Sequence, residues 1–237
     1  MENMKHFDIN TKEDAIFFLN LMITLTYKKL HRYKNLLADV KRTLDESTED
    51  VIKVNIGNGL AERAEALDLF FYNLYGDDTK NTISYPHFRN TMRRKENKGL
   101  QEFKLPDVDE EIERLLKEMQ DLRNWSHHIP QSLFMAEINY VKDREATEQL
   151  IRETHTGYIV YVLEYEDYAK ERLEILYESI KERYSIYRKI LQCMKKDYTY
   201  LLGERIRVIT QYSETPKGIE GIEVATESLK INSRKRR

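Results

Sequence analysis

The chain has 237 residues and carries 39 Lys and Arg against 41 Asp and Glu, a formal net charge of −2. That balance gives no global attraction to nucleic acid or to anionic membranes, so any phosphate-binding surface has to be local. Eight Gly and four Pro are few for a turn-rich β fold, and the single cysteine, Cys193, excludes an intramolecular disulfide framework and a multi-cysteine metal centre.

The opening residues, MENMKHFDIN, lack the charged-then-apolar order of a signal peptide. The longest apolar run, Ala15 to Leu25, is broken by Asn20 and Thr24 and is too short for a bilayer. These features predict a cytoplasmic protein with no membrane partner.

The first predicted helix runs from about Thr11 to Asp45, with Thr11 and Asp14 at capping-box spacing. Phe18, Met22, Leu25, Leu30, Tyr33 and Leu37 mark its buried stripe. A second helix is expected from Thr48 to Tyr75, weakened early by Gly57 and Gly59 and stopped by Gly76-Asp77-Asp78. On it, Glu62, Glu65 and Asp68 share one face, read here as solvated acids.

Residues 79–100 form the one strongly basic interior segment: Lys80, Arg89, Arg93, Arg94, Lys95 and Lys98 face a single acid, Glu96. If these side chains point the same way, they make a local contact surface for a phosphate backbone; of these, Arg89, Arg93, Arg94 and Lys95 are the candidate substrate-binding residues. Pro106, followed by Asp107, Asp109, Glu110 and Glu111, starts another helix, because carboxylates near an N-terminus favour the helix dipole. Ile112, Leu115, Leu116, Met119 and Leu122 give its apolar stripe. Arg123, Asn124, Trp125, Ser126, His127 and His128 then fall on its last turn, before Ile129-Pro130 ends it.

A short helix is expected from Gln131 to about Val141. The last third advances by threes and fours from Val162 through Tyr165, Ala169, Leu173, Leu176, Ile180, Tyr184, Tyr187, Leu191, Met194, Tyr198 and Leu201, with neither Gly nor Pro between Gly157 and Gly203. This heptad-like seam predicts one long helix or a helical hairpin. Its tyrosines border the core with wet hydroxyls on this reading, and Cys193 is a packed, inert thiol. Periodicity is lost after Thr215-Pro216-Lys217-Gly218, and the end, SRKRR, reads as a flexible basic tail. The predicted organisation is therefore a single all-α domain over residues 1–212 and a tail over 213–237.

The chemistry concentrates at the 123–128 cluster. A guanidinium beside an imidazole suits acid–base work on a phosphodiester: Arg clamps non-bridging oxygens and His exchanges protons near neutrality. No metal is needed for RNA cleavage by the 2′-hydroxyl, and no His, Asp or Glu set has metal-ligand spacing. One imidazole does not easily serve both sides of an in-line displacement, so a two-fold dimer is the expected way to complete the site. No phosphate-cradling glycine loop, nucleophile elbow or dinucleotide fingerprint occurs.

Arg-Asn-x-x-x-His after an amphipathic helix resembles the motif of the HEPN superfamily, and LRNWSHH from Leu122 to His128 looks like the run found in its abortive-infection members. Arg123, Asn124 and His128 fall on that motif. The resemblance implies a helical bundle, dimerisation through the motif region, and metal-independent endoribonuclease activity of a defence or toxin type, with no cofactor and with an antitoxin or defence-system partner. On it, His128 is general base or acid, Arg123 the phosphate clamp, Asn124 an orienting amide and His127 a substrate contact. The motif covers about seven residues and leaves the C-terminal helices unexplained. The alternative class is a non-catalytic helical binding or scaffold protein that works through the heptad seam.

Overall fold

A computed structural model describes residues 8–79, 82–127, 167–204, 207–215 and 218–226. Helix α1, Lys12–Glu46, starts at the expected capping box: Thr11 Oγ1 accepts from the Asp14 amide at 3.1 Å, and Asp14 Oδ2 accepts from the Thr11 amide at 2.8 Å. A short strand, β1, Val51–Lys53, then leads directly into α2, Val54–Gly76. Helix α3 is Tyr85–Glu96, α4 is Glu110–His127, strand β2 is Asp167–Ala169, and β2 runs directly into α5, Lys170–Leu202. Strands β3, Arg207–Thr215, and β4, Gly218–Thr226, follow.

The fold is all-α in its body, with a long C-terminal helix. Among the alternatives for the seam, residues 170–202 form one helix, about 50 Å long at 1.5 Å per residue. Leu173, Ile180, Tyr187, Leu191, Met194 and Leu201 of the predicted stripe are buried along it, packed mainly on α1. It ends at Gly203, whose φ of 76° is the left-handed conformation that a C-terminal glycine adopts without a Cβ penalty.

Two expectations are corrected at the chain's β elements. Helix α2 begins at Val54 rather than Thr48, because residues 51–53 pair antiparallel with β2, Val51 opposite Ala169 and Lys53 opposite Asp167. This ribbon brings the starts of α2 and α5 together. Gly57, read as a weak point of the helix, is where the Tyr168 ring packs; a Cβ there would collide with it. Residues 207–226 form an antiparallel hairpin in which Thr215 pairs with Gly218, so strand structure crosses the boundary expected at residue 212. The predicted helix at 131–141 and the basic end at 233–237 lie outside the described residues.

Polar side chains tie the core together. Asp68, expected on a solvated face, is 4% exposed: Tyr33 and Tyr187 both donate to its Oδ1, at 2.8 and 2.7 Å, and Arg183 Nε lies 3.2 Å from Oδ2. Only Glu62 and Glu65 of that acidic trio face solvent. The Tyr187 hydroxyl is thus satisfied by a buried carboxylate rather than by water, while its ring stacks on Phe71 at 4.0 Å. A second knot joins α3 to α5 through Asp197, which is 1% exposed and accepts from Tyr85 at 2.7 Å. Cys193 is buried beside the same Tyr85 hydroxyl, and burial pushes its thiol up, which keeps it unreactive.

Candidate functional site at the end of the fourth helix

Helix α4 starts where the sequence directs it. Asp109 accepts from the Ile112 amide at 3.0 Å, and Ile112, Leu115 and Met119 are buried beneath it. Its exposed face then carries Arg123 and Asn124 to its last turn. The position of that turn is set by Gly76, the final residue of α2. A Cβ on Gly76 would collide with the Met119 and Gln120 backbone, so only glycine lets α2 end against α4 one turn before Arg123.

Asp77, the next residue, meets the guanidinium. Arg123 Nη2 donates to Asp77 Oδ2 at 3.0 Å, with the two side chains 20% and 7% exposed. The other carboxylate oxygen accepts from the Thr79 amide at 3.0 Å and the Thr79 hydroxyl at 2.8 Å. Burial alone raises the Asp77 carboxyl, but the Thr79 donors and the Arg123 charge outweigh it and hold it below the ordinary carboxylate range. Arg123 Nη1 donates to Asn124 Oδ1 at 3.3 Å, leaving the exposed amide nitrogen of Asn124 for another partner. Buried Nε has no hydrogen-bond partner among the described residues.

The Asp77 carbonyl is held as well, by the Ser84 hydroxyl, which donates to it. Ser84 caps α3, accepting from the His87 amide at 3.3 Å. His87 therefore stands on the first turn of a helix that is clasped to the residue holding Arg123. Its ring is half-buried, with Nε2 3.5 Å from Thr91 Oγ1. Burial, helped by Arg94, lowers its pKa, and the opposing charges of Asp77 and Asp78 do not restore it. Gln120 Nε2 donates to Asp78 Oδ2 at 3.0 Å, a further tie between α4 and this loop.

No protein-family model, curated protein or solved structure matches the chain. The site therefore stands on its own geometry.

Of the predicted substrate-binding residues, Arg93 and Arg94 are exposed near the end of α3, and half-buried Lys95 lies over the Phe103 ring at 4.8 Å. Arg89 departs from the expected surface. Its guanidinium turns inward, donating to Asp197 Oδ2 at 2.6 Å and to the Pro106 carbonyl at 2.7 Å. The reason is spacing: Arg89 lies one turn after Tyr85, on the buried face of α3, and neutralises a carboxylate that water does not reach. His127 ends α4, and His128 lies outside the described residues. Trp125 is 53% exposed beside the motif.

Asp77, Ser84 and His87 are the residues that sequence reasoning passes over. Gly76-Asp77-Asp78 reads only as a helix stop, and His87 only as an isolated histidine after a proline. The one available signal, a serine three residues before His87 as a helix cap, gains meaning only once α3 is known. A groove of about 320 Å³ lined by Asp39, Arg42, Ile56 and Arg63 lies at the start of α2, far from Arg123, which meets the other end of that helix. Among the described residues, no group of three or more His, Cys, Asp and Glu could hold a metal. No helix there is long and apolar enough to cross a membrane.

Proposed function

We propose that the protein is a metal-independent endoribonuclease of the HEPN kind, acting in defence or as a toxin, with its site at the end of α4. The observation that carries this reading is the Arg123 guanidinium, held by Asp77 at 3.0 Å and flanked by exposed Asn124 at the end of the helix bearing the Arg-Asn-x-x-x-His run. An arginine whose orientation is set before substrate arrives spends little entropy in clamping a phosphate. Arg123 holds the scissile phosphate and Asn124 orients it. His128 exchanges a proton as base or acid, and His127 contacts substrate. Arg93, Arg94 and Lys95 guide the strand along α3.

The reaction is transesterification through the ribose 2′-hydroxyl. It needs no cofactor and leaves a 2′,3′-cyclic phosphate. Purified protein in EDTA should therefore cleave RNA and leave cyclic-phosphate ends; loss of cleavage on chelation removes the proposal. The partners in this reading are RNA, a second copy of the chain facing the motif region, where Trp125 offers an exposed apolar surface, and an antitoxin or other defence component.

The Arg123–Asp77 pair also favours a second reading, in which it only ties α2 to α4 within a helical binding module or scaffold. RNA binding that weakens with salt, without cleaved product, is the result that reading expects.

A further inference from the structure

We propose that His87 is the base that takes the 2′-hydroxyl proton at this site, in the same chain as the Arg123 that holds the phosphate. The inference rests on the ribonuclease reading and deepens it. The motif supplies two adjacent histidines from one helix end, whereas an in-line displacement needs a proton acceptor and a proton donor on opposite sides of phosphorus.

The structure brings in an imidazole from a different element. Asp77 is the hinge of the arrangement: its carboxylate holds Arg123, and its carbonyl holds Ser84, the cap against which the His87 amide is bonded. Guanidinium and imidazole are thereby fixed from two sides of one residue. In the ring itself, Nε2 faces the Thr91 hydroxyl, and Nδ1 takes no hydrogen bond among the described residues. Thr91 and exposed Arg94 continue the same face of α3, so a strand guided by Arg94 passes His87 on its way to Arg123. The charged groups acting on the ring are Arg94 from its own helix and Asp77 and Asp78 from the loop after α2, with burial the largest influence and the net effect downward. A ring so placed is neutral near neutral pH, the form a base requires.

The step balances without an oxidant or a metal. The 2′-oxygen passes its proton to an imidazole nitrogen of His87 as its lone pair forms the bond to phosphorus. The bond from phosphorus to the 5′-oxygen breaks, and that oxygen takes a proton from the acid, which this assignment makes His128.

The test is cleavage of a mixed-sequence single-stranded RNA in EDTA, as a function of pH, by the wild type, H87Q, H87N and R123A. Binding is read on a 2′-deoxy analogue of the same strand. H87Q and H87N are expected to lower the maximal rate about 100-fold or more with RNA affinity changed by less than about 2-fold, and to lose the acidic limb of the wild-type profile. Unfolding curves matching wild type show that either variant reports chemistry, and two variants guard against one failing to fold. If both variants cleave within about 3-fold of wild type and keep the acidic limb while R123A is inactive, the His87 assignment is overturned and the ribonuclease stands. If the wild type does not cleave, the ribonuclease reading falls and His87 falls with it.

Discussion

An arginine gains little from a surface carboxylate, but Arg123 meets one that is 7% exposed and already bonded to Thr79. Removing the carboxylate leaves a guanidinium that is mostly out of water and without its charge partner. Asp77→Ala should therefore cost about 2–4 kcal/mol of stability, read by urea unfolding. Because the Asp77 carboxyl is held below its unfolded value, its contribution is complete above about pH 4 and is lost as pH falls through the lowered folded value.

Asp197 behaves in the opposite sense. Burial raises its carboxyl, and Arg89 and Tyr85 only partly offset that. The folded state then holds the proton more tightly than the unfolded one, so stability from this group falls as pH rises from the unfolded value through the raised folded value. Tyr85→Phe removes a donor to this carboxylate. It should cost about 1.5–3 kcal/mol near neutral pH, and less in acid, where Asp197 is protonated. An equal cost at both pH values would show that Asp197 is not the group concerned.

At the scale of elements, two glycines set the helix positions by what they lack. Gly76 lets α2 end against the Met119 carbonyl, and Gly57 makes room for the Tyr168 ring. Gly76→Ala should push α4 away, costing about 1–3 kcal/mol and loosening the Arg123–Asp77 pair, seen as a lower melting temperature together with changed Arg123 side-chain NMR signals.

The helices with full turns of apolar spacing were legible in the sequence: the Thr11 cap of α1, the Ile112–Met119 stripe of α4 and the seam of α5. Their periodicity is a local property that packing then uses. Strands β1 and β2 were not legible, because each is three residues long and its pairing partner lies more than a hundred residues away. Helix α3 was hidden by its basic composition, which masks the buried positions Tyr85, Phe88 and Met92. The candidate site was legible in part. Arg123 and Asn124 are named by the motif, whereas Asp77 and His87 join them only through the crossing at Gly76 and the cap at Ser84.

Across the whole molecule, α5 acts as a spine. It buries apolar residues against α1, reaches Asp68 of α2 through Tyr187 and Arg183, and receives Arg89 and Tyr85 of α3 at Asp197. The Asp68 and Asp197 knots use their polar groups within the scaffold, which leaves the α2–α3–α4 junction as the place where a fixed cation and a free imidazole nitrogen stand beside exposed arginines. That contrast favours a site over a purely structural contact. It also predicts that changes at the junction affect cleavage more than the fold, whereas polar replacement of Ile180 or Leu191 unfolds the chain.

The most direct measurement is the digestion of total cellular RNA in EDTA by the wild type beside the double variant Arg123→Ala with His128→Ala, both shown to be folded. Cleavage by the wild type alone, with cyclic-phosphate ends, is the predicted result. Equal cleavage by both proteins, or none by either, would contradict a ribonuclease centred on the end of α4.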